Sequence, residues 1–146
     1  MVRFNLAKPV YRIRQIRPKA LTLNPFATAH LLNNDKTQAL AHGLVAVDCS
    51  WEKAGTEFAT RLPGRNVKLP TLLPSNPVNY AKPGKLSSLE ALAASLQIMG
   101  FQARASELLS IYKWGPNFLT LNQEPLDAYA SATNEQELVD AESQYF

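Results

Sequence analysis

The segment from Ser87 to Gly100 constrains the fold most, because the sequence marks both ends of a helix there. Ser87 is followed three residues later by Glu90, which is the spacing of a capping box. A run of apolar and helix-favouring residues follows, and Gly100 is a typical residue just beyond a helix C-terminus. We therefore predict a helix that opens after Ser87 and runs to Met99.

Short apolar runs precede this helix and predict buried strands. Residues 43–47 form one such run after a glycine, and residues 69–73 form another before a proline. Apolar and basic residues alternate over 10–16, which predicts a strand with one basic face. Because strands alternate with helices, the expected fold class is α/β. Residues 61–68 are expected to form a basic loop, and further helices are expected at 51–60, 103–112, 117–129 and, more weakly, 134–143.

Charge is distributed unevenly along the 146 residues, although the net charge is only +3. Residues 1–34 carry six basic groups and no acid, whereas residues 114–146 carry six acids and no basic group. A basic N-terminal half is what contact with a phosphate backbone requires. The same distribution is expected if the two ends pack together or are solvated, so charge alone leaves these explanations open.

Several protein classes are disfavoured by what the sequence lacks. No apolar run approaches the ~20 residues that a membrane span needs, and basic residues interrupt the N-terminus where a secretory signal would be apolar. One cysteine, Cys49, excludes an internal disulfide, and with only His30 and His42 beside it no tetrahedral metal cluster is expected. Walker A and GxGxxG motifs are absent. We expect a cytoplasmic protein that holds no metal.

Two residues that follow the apolar run 43–47 are candidates for chemistry. Asp48 lies at the end of the predicted strand, where it could act as a general base, hold a cationic ligand or cap the next helix. Trp51 could contact a positive group with its ring or belong to the core. The proline-rich stretch 74–88 could present backbone groups to a ligand or be a rigid connector. The residues by themselves leave each of these alternatives open.

Three blocks of sequence resemble one known family. The blocks are VDCSW at 47–51, a long block at 69–101 that contains NPVNY and KLSSLEALAAS, and LLSIYKWGPNFLTLN at 108–122. Together they resemble the aminocarboxypropyltransferases of small-subunit ribosomal RNA, over about residues 43–130 with a weaker stretch at 10–26.

The resemblance implies a fold and an organisation of the chain. The implied fold is similar to that of the SPOUT RNA methyltransferases, with a C-terminal trefoil knot in the cofactor domain and a small N-terminal part that contains β-structure. Residues 1–42 would form the basic, RNA-contacting part and residues 43–146 the SPOUT-like, cofactor-binding part, packed together as one compact unit. Members of the family are thought to act as monomers.

The resemblance also implies an activity in ribosome biogenesis. Members of the family transfer the 3-amino-3-carboxypropyl group of S-adenosylmethionine (SAM), rather than its methyl group, to a ring nitrogen of a uridine or pseudouridine in small-subunit rRNA. They release 5′-methylthioadenosine. The implied co-substrate is SAM, and the implied partner is the rRNA or a pre-ribosomal particle.

Residue by residue, the resemblance implies a pocket that lies mainly between Val47 and Ser88. Asp48 matches an acid that helps to remove the proton from the acceptor nitrogen, and Trp51 matches a tryptophan that packs on the cofactor near its sulfonium. The other implied cofactor contacts are Thr22 through its backbone at the ribose, Val47 lining the pocket, Leu69 and Gly84 through their backbone at the adenine, and Ser88 near the amino-acid end.

Basic residues flank this pocket in sequence and are candidates for RNA contacts, although each one alone is more often a solvated charge. The candidates are Arg12, Arg14, Lys19, Arg61, Arg65, Lys68, Lys82 and Lys85.

The chain departs from the family pattern at two places. Residues 16–22 lack both cysteines and the Asp of the family's Cys-Asp-Pro-Lys-x-Cys-Ser/Thr run, so those cysteines cannot form a required metal site here. Ala81 stands where a glycine is common, which we expect to be a small change. Two alternatives to the transferase remain: a SPOUT-type rRNA methyltransferase, and a non-catalytic assembly factor of the small ribosomal subunit.

Overall fold

The computed structural model describes residues 15–46 and 62–146. Its strands form one sheet of three short parallel members in the order β2-β1-β3. The strands are β1 (Leu21–Leu23), β2 (Leu44–Ala46) and β3 (Arg65–Val67), and β1 pairs with both of the others. The α/β class is thereby confirmed. Neither β1 nor β3 was expected from the sequence, and the prediction that 61–68 is a loop is wrong for Arg65–Val67.

Six α-helices surround the sheet within these two ranges, and a 3-10 helix at Asn33–Asp35 leads into the first of them. The helices are α1 (Lys36–His42), α2 (Ser88–Ile98), α3 (Gln102–Leu109), α4 (Gly115–Leu121), α5 (Gln123–Ser131) and α6 (Glu135–Tyr145). None of them is long and apolar enough to cross a membrane.

Strand β3 can join the sheet because the chain before it lies very close to β1. Gly64 has φ +91°, and a Cβ at this position would lie 2.6 Å from both the Ala20 carbonyl oxygen and the Thr22 hydroxyl. Asn66 then binds the turn, since its amide nitrogen donates to the Leu62 carbonyl at 2.6 Å and its oxygen accepts from the Leu62 N–H at 2.9 Å. Gly64 therefore provides the left-handed backbone and the close approach, while the side chain of Asn66 supplies the hydrogen bonds of the turn.

The core lies between β1 and the helices α2 and α5. Leu21 on β1, Ala93 and Ala94 on α2 and Tyr129 on α5 are all buried and belong to one cluster. The two alanines leave space for close packing around α2, which contacts β2, α3 and α5. Helix α2 has the predicted form: Ser87 and Glu90 make the capping box, and Gly100, with φ +91°, follows the helix end.

The prediction of a strand at 69–73 is wrong. Side chains, rather than a neighbouring strand, pair with the backbone of this stretch. The Thr71 N–H donates to Glu142 at 2.6 Å, and the Thr71 carbonyl accepts from the Tyr129 hydroxyl at 2.8 Å. The Asn122 amide accepts from the Leu73 N–H at 2.8 Å and donates to the Leu73 carbonyl at 2.7 Å. We refer to residues 71–76 as the tethered segment.

Asn122 also explains why the predicted helix at 117–129 is two helices. Its backbone leaves the helical conformation, with φ −111° and ψ 16°, and its side chain turns to the tethered segment. Pro125 lies in the first turn of α5, where its missing N–H costs no hydrogen bond. A single helix through Asn122 would break the pairing with Leu73.

The other predictions have mixed outcomes. The strand at 43–47 is confirmed as β2, and the helices at 103–112 and 134–143 are confirmed as α3 and α6 with shifted bounds. Helix α1 was not predicted. The predicted helix at 51–60 lies outside the described residues, as does the predicted strand at 10–16 except for residues 15 and 16, which are not in a strand.

The acidic helix α6 binds the N-terminal half through specific contacts. One carboxylate oxygen of Glu135 contacts His30 Nδ1 at 2.5 Å, and the other accepts from the His30 N–H at 3.1 Å. Burial tends to raise the pKa of Glu135, but these hydrogen bonds and the positive charge of His30 and Lys68 hold that pKa below its usual value. Acids of this helix therefore have structural partners.

Replacement of Asn122 should destabilise the fold, because the backbone of Leu73 loses both of its partners. Asn122→Ala is expected to lower the free energy of unfolding by about 1–3 kcal/mol, since the N–H and the carbonyl of the half-buried Leu73 lose their hydrogen bonds. Urea denaturation followed by circular dichroism measures this change. Asn117→Ala, at an exposed position of α4, is the matched control and should change stability by less than about 0.5 kcal/mol. Equal effects of the two substitutions would contradict the assigned role of Asn122.

Candidate functional site

The tethered segment lies beside the loop at 77–87 that leads into α2. The Gly84 N–H donates to the Leu72 carbonyl at 3.0 Å, and the Ala81 N–H donates to the Pro74 carbonyl at 2.9 Å. These two bonds fix the loop against residues 72–74 although the two stretches do not form a sheet. Backbone of the loop and backbone of the tethered segment therefore face one another in front of the N-terminal end of α2.

The carboxylate of Glu90 joins the tethered segment, the loop and α2. It is fully buried and accepts five hydrogen bonds from neutral donors. One oxygen accepts from the N–H groups of Ser75 and Asn76 at 2.7 and 3.2 Å. The other accepts from the Asn76 amide at 2.6 Å and from the Ser87 N–H and hydroxyl, both at 3.0 Å. Ser75 is held further by the bond from its hydroxyl to the Trp114 carbonyl at 2.8 Å.

The loop itself contains two residues with left-handed backbone. Gly84 has φ +77°, and Ala81 has φ +58°. A side chain with a Cβ in this conformation costs about 1–2 kcal/mol. The alanine that stands where the family commonly has glycine is therefore a strained substitution, and the expectation that it is a small change needs this correction.

Three of the expected cofactor-contacting residues lie on these neighbouring stretches. Leu69 is half-buried, two residues before the tethered segment. Gly84 is exposed, and nothing lies within 4 Å of the position that a Cβ would take there. Ser88 is half-buried and is the first residue of α2. The structure thus brings Gly84 and Ser88 onto the part of the molecule that Glu90 organises, with Leu69 close to it along the chain.

Thr22 has a different environment. It is fully buried in the central strand β1, and its hydroxyl donates to the Pro63 carbonyl at 2.7 Å. In this position Thr22 fixes the chain that enters β3. The expected site residues Val47, Asp48 and Trp51 lie outside the described residues.

The basic candidates differ in their surroundings. Lys19, Lys82 and Lys85 are exposed, and Lys68 is half-buried beside His30. Arg65 contacts the buried Asp35 at 2.5 Å, so part of its charge is neutralised within the protein. This ion pair could not be read from the sequence, in which the two residues are 30 positions apart. The candidates Arg12, Arg14 and Arg61 lie outside the described residues.

Sequence reasoning identified Glu90 only as the second residue of a capping box. The spacing from Ser87 gave that signal, but it contains no information on the bonds to Ser75 and Asn76. Asn122 was missed altogether, because a single asparagine between two helical stretches has no distinctive pattern. Across 15–46 and 62–146, no three His, Cys, Asp or Glu side chains come together in a group that could hold a metal ion.

The sequence of the chain is similar to one family model and to several curated proteins. Residues 21–146 match the family model described as "Ribosome biogenesis protein, C-terminal". The 16S rRNA aminocarboxypropyltransferase of Methanopyrus kandleri is 47% identical over 127 residues, which are 86% of this chain and 75% of that protein. The enzyme of the same name from Methanothermobacter thermautotrophicus is 41% identical over 139 residues, covering 94% of this chain and 82% of that protein.

A solved structure extends the similarity to the fold. It is the structure of the SAM-dependent rRNA:acp-transferase Tsr3 from Vulcanisaeta distributa, with a TM-score of 0.84 and 37% sequence identity over 98% of this chain and 83% of that one. The chain belongs to the family of 16S rRNA aminocarboxypropyltransferases, as its sequence motifs predict.

Replacement of Glu90 should loosen this part of the molecule. In Glu90→Gln the shape is retained, but an amide NH₂ faces donors in place of a carboxylate oxygen, so we expect a loss of about 2–4 kcal/mol in the free energy of unfolding. Hydrogen exchange should also become faster at residues 75, 76 and 87. The control is Glu107→Gln, since Glu107 is exposed and its carboxylate pairs with the exposed Arg104; its effect should stay below about 0.5 kcal/mol. Unchanged exchange in Glu90→Gln would rule out the assigned role.

Proposed function

We propose that this chain transfers the 3-amino-3-carboxypropyl group of SAM to a ring nitrogen of a uridine or pseudouridine in small-subunit rRNA and releases 5′-methylthioadenosine. One observation carries the proposal. Enzymes named for this transfer to 16S rRNA match the chain over most of its length at 47% and 41% identity. The likeness to the SAM-dependent rRNA:acp-transferase structure over 98% of the chain supports it.

The described part of the site has features that suit SAM. The open space at Gly84 allows a planar adenine to approach the backbone closely, and the half-buried Leu69 offers apolar surface. The N-terminal end of α2, where Ser88 lies, carries partial positive charge that stabilises a carboxylate. We therefore assign the adenine contacts to Leu69 and Gly84 and the contact with the amino-acid carboxylate to Ser88.

The remaining roles in the proposed mechanism follow from the family resemblance. SAM, when bound, supplies a sulfonium with three carbons open to attack, so orientation decides which group is transferred. Trp51 packs against the sulfonium and covers the methyl group, and Val47 lines the same pocket. Asp48 accepts the proton from the ring nitrogen of the acceptor base. Thr22 contacts the ribose through its backbone, while its hydroxyl donates to the Pro63 carbonyl and fixes the chain beside β1.

The finer features of the fold and the RNA contacts belong to the same proposal. We propose a SPOUT-like fold with a C-terminal trefoil knot, in which residues 1–42 form a basic RNA-contacting part and residues 43–146 a cofactor-binding part. We also propose that the protein acts as a monomer in the cytoplasm on rRNA or a pre-ribosomal particle. The parallel sheet and the likeness to the solved structure support this fold.

The exposed Lys19, Lys82 and Lys85 are the described residues best placed for phosphate contacts, and Lys68 is next. Arg65 contributes less because Asp35 pairs with it.

Isotope labelling distinguishes this transfer from methylation. The protein is incubated with small-subunit rRNA and SAM that carries label either in the carboxyl group or in the methyl group. We expect the carboxyl label to enter the RNA and the methyl label to leave in 5′-methylthioadenosine. Methyl label in the RNA, with release of S-adenosylhomocysteine, would show a methyltransferase instead. Failure to bind SAM in calorimetry would favour a non-catalytic assembly factor.

Substitutions at the two central residues should separate binding from chemistry. Trp51→Ala is expected to weaken SAM binding about tenfold in calorimetry, because the sulfonium loses its aromatic contact. Asp48→Ala should retain most of the SAM affinity but transfer about 10²–10⁴ times more slowly, which is the usual contribution of a general base. Normal turnover in Asp48→Ala would exclude it as the base, and unchanged affinity in Trp51→Ala would exclude the contact with the sulfonium.

A further inference from the structure

Two large apolar side chains stand on the surface of the loop at 77–87. Val78 is 82% exposed and Tyr80 is 55% exposed. No other large hydrophobic side chain within 15–46 and 62–146 is as exposed as Val78. The two residues are two positions apart, and neither contributes to the core. Two large exposed side chains this close in sequence, on a loop with a fixed backbone, are candidates for a contact surface.

Backbone bonds hold this part of the loop in one conformation. The Asn79 N–H donates to the Asn76 side chain at 3.0 Å, and the Lys82 N–H donates to the Asn79 carbonyl at 3.0 Å. The bond from Ala81 to Pro74 and the buried carboxylate of Glu90 anchor the same stretch to the tethered segment and to α2. Tyr80 is therefore presented by a fixed turn, and a partner that binds it need not order the loop first.

The charge around these side chains favours a polyanion. Lys82 and Lys85 are exposed within five residues of Tyr80, and the sequence contains no acid from 58 to 89. An aromatic ring beside lysines is the combination with which proteins bind single-stranded nucleic acid: the ring stacks on a base while the lysines contact phosphates. A loop that carries an exposed ring and two exposed lysines, in a stretch of sequence without acids, fits an unpaired base of RNA better than an apolar protein partner.

The loop also leads directly to the proposed cofactor contacts. Tyr80 lies four residues before Gly84 and eight before Ser88, and the bond from Gly84 to Leu72 holds the intervening chain in place. A base that stacks on Tyr80 would thus belong to RNA that enters the same site.

We propose that Tyr80, flanked by Val78, is a stacking platform for an unpaired nucleobase of the RNA substrate. This inference rests on the proposed function. The platform positions the single-stranded region around the acceptor, while Lys82 and Lys85 hold its phosphates. Because every base has a π face, the platform contributes affinity and register without selecting a sequence.

Binding of a fluorescent oligouridine of about 12 nucleotides tests the platform with the full chain. Tyr80→Ala should weaken binding about tenfold, whereas Tyr80→Phe keeps the ring and should stay within about twofold of the unsubstituted protein. The dependence of affinity on salt should be the same in Tyr80→Ala as in the unsubstituted protein, since stacking releases no counterions. The affinity for SAM should not change. Tyr145→Ala is the control, because Tyr145 is an exposed tyrosine on the acidic helix α6 and should not affect RNA binding.

A photochemical experiment gives a second, direct measurement. Oligouridine that contains 5-iodouridine crosslinks to an aromatic ring stacked on the base, and we expect the crosslink to map to Tyr80. An affinity of Tyr80→Ala equal to that of the unsubstituted protein, or a crosslink at another residue, would overturn the platform.

Measurement of 5′-methylthioadenosine separates this proposal from the proposed function. If the protein forms this product and Tyr80→Ala has an unchanged KM for rRNA, the platform fails and the transferase stands. If Tyr80 crosslinks but no 5′-methylthioadenosine forms, the transferase fails and the platform stands.

Discussion

The buried carboxylate of Glu90 determines the geometry of the candidate site. A charge removed from water costs several kcal/mol unless hydrogen bonds replace its hydration, and here five neutral donors replace it. These donors come from the end of the tethered segment and from the residue that caps α2. Neither part can move away without leaving the carboxylate unsatisfied. The positions of Gly84, Ser88 and Tyr80, which lie between or beside these donors, therefore depend on Glu90 together with the backbone bonds from Ala81 and Gly84 to the tethered segment.

The tethered segment shows how side chains can hold a stretch of backbone that has no partner strand. Glu142, Tyr129, Asn122 and Glu90 reach its backbone from different helices or helix ends. Each supplies the donor or acceptor that an adjacent strand would otherwise supply, so the buried backbone is satisfied. This arrangement leaves the loop at 77–87 as the neighbour of the segment, and it allows that loop to adopt the irregular turns that a ligand-contacting surface uses.

The features that could be predicted from the sequence are those with a local signal. The capping box of α2 and the apolar run of β2 lie within a few residues, and both are confirmed. The family motifs predicted the class of enzyme because they are long and specific. Sequence reasoning did not predict the features that depend on contacts between residues far apart in the chain. The hydrogen bonds of Thr71 and Leu73 depend on Glu142 and Asn122. The pairing of β3 with β1 depends on a close approach at Gly64, and the ion pair of Arg65 depends on Asp35. Of the candidate site, Gly84 and Ser88 lie on the loop and the helix end that Glu90 joins, and their contacts with the cofactor stay predictions. The burial of Thr22 could not be inferred from its neighbours.

The hydrogen bonds that hold the tethered segment and His30 join residues far apart in sequence, and this separation determines when they can form during synthesis. Thr71 is bound by a side chain 71 residues further along the chain, and His30 by one 105 residues further along. Contacts of such separation form late, because the intervening chain must first be ordered. During translation, the tethered segment leaves the ribosome well before Glu142 has been synthesised. A protein of the family that modifies ribosomal RNA thus acquires its own finished site only after a ribosome has synthesised the helix that carries Glu135 and Glu142.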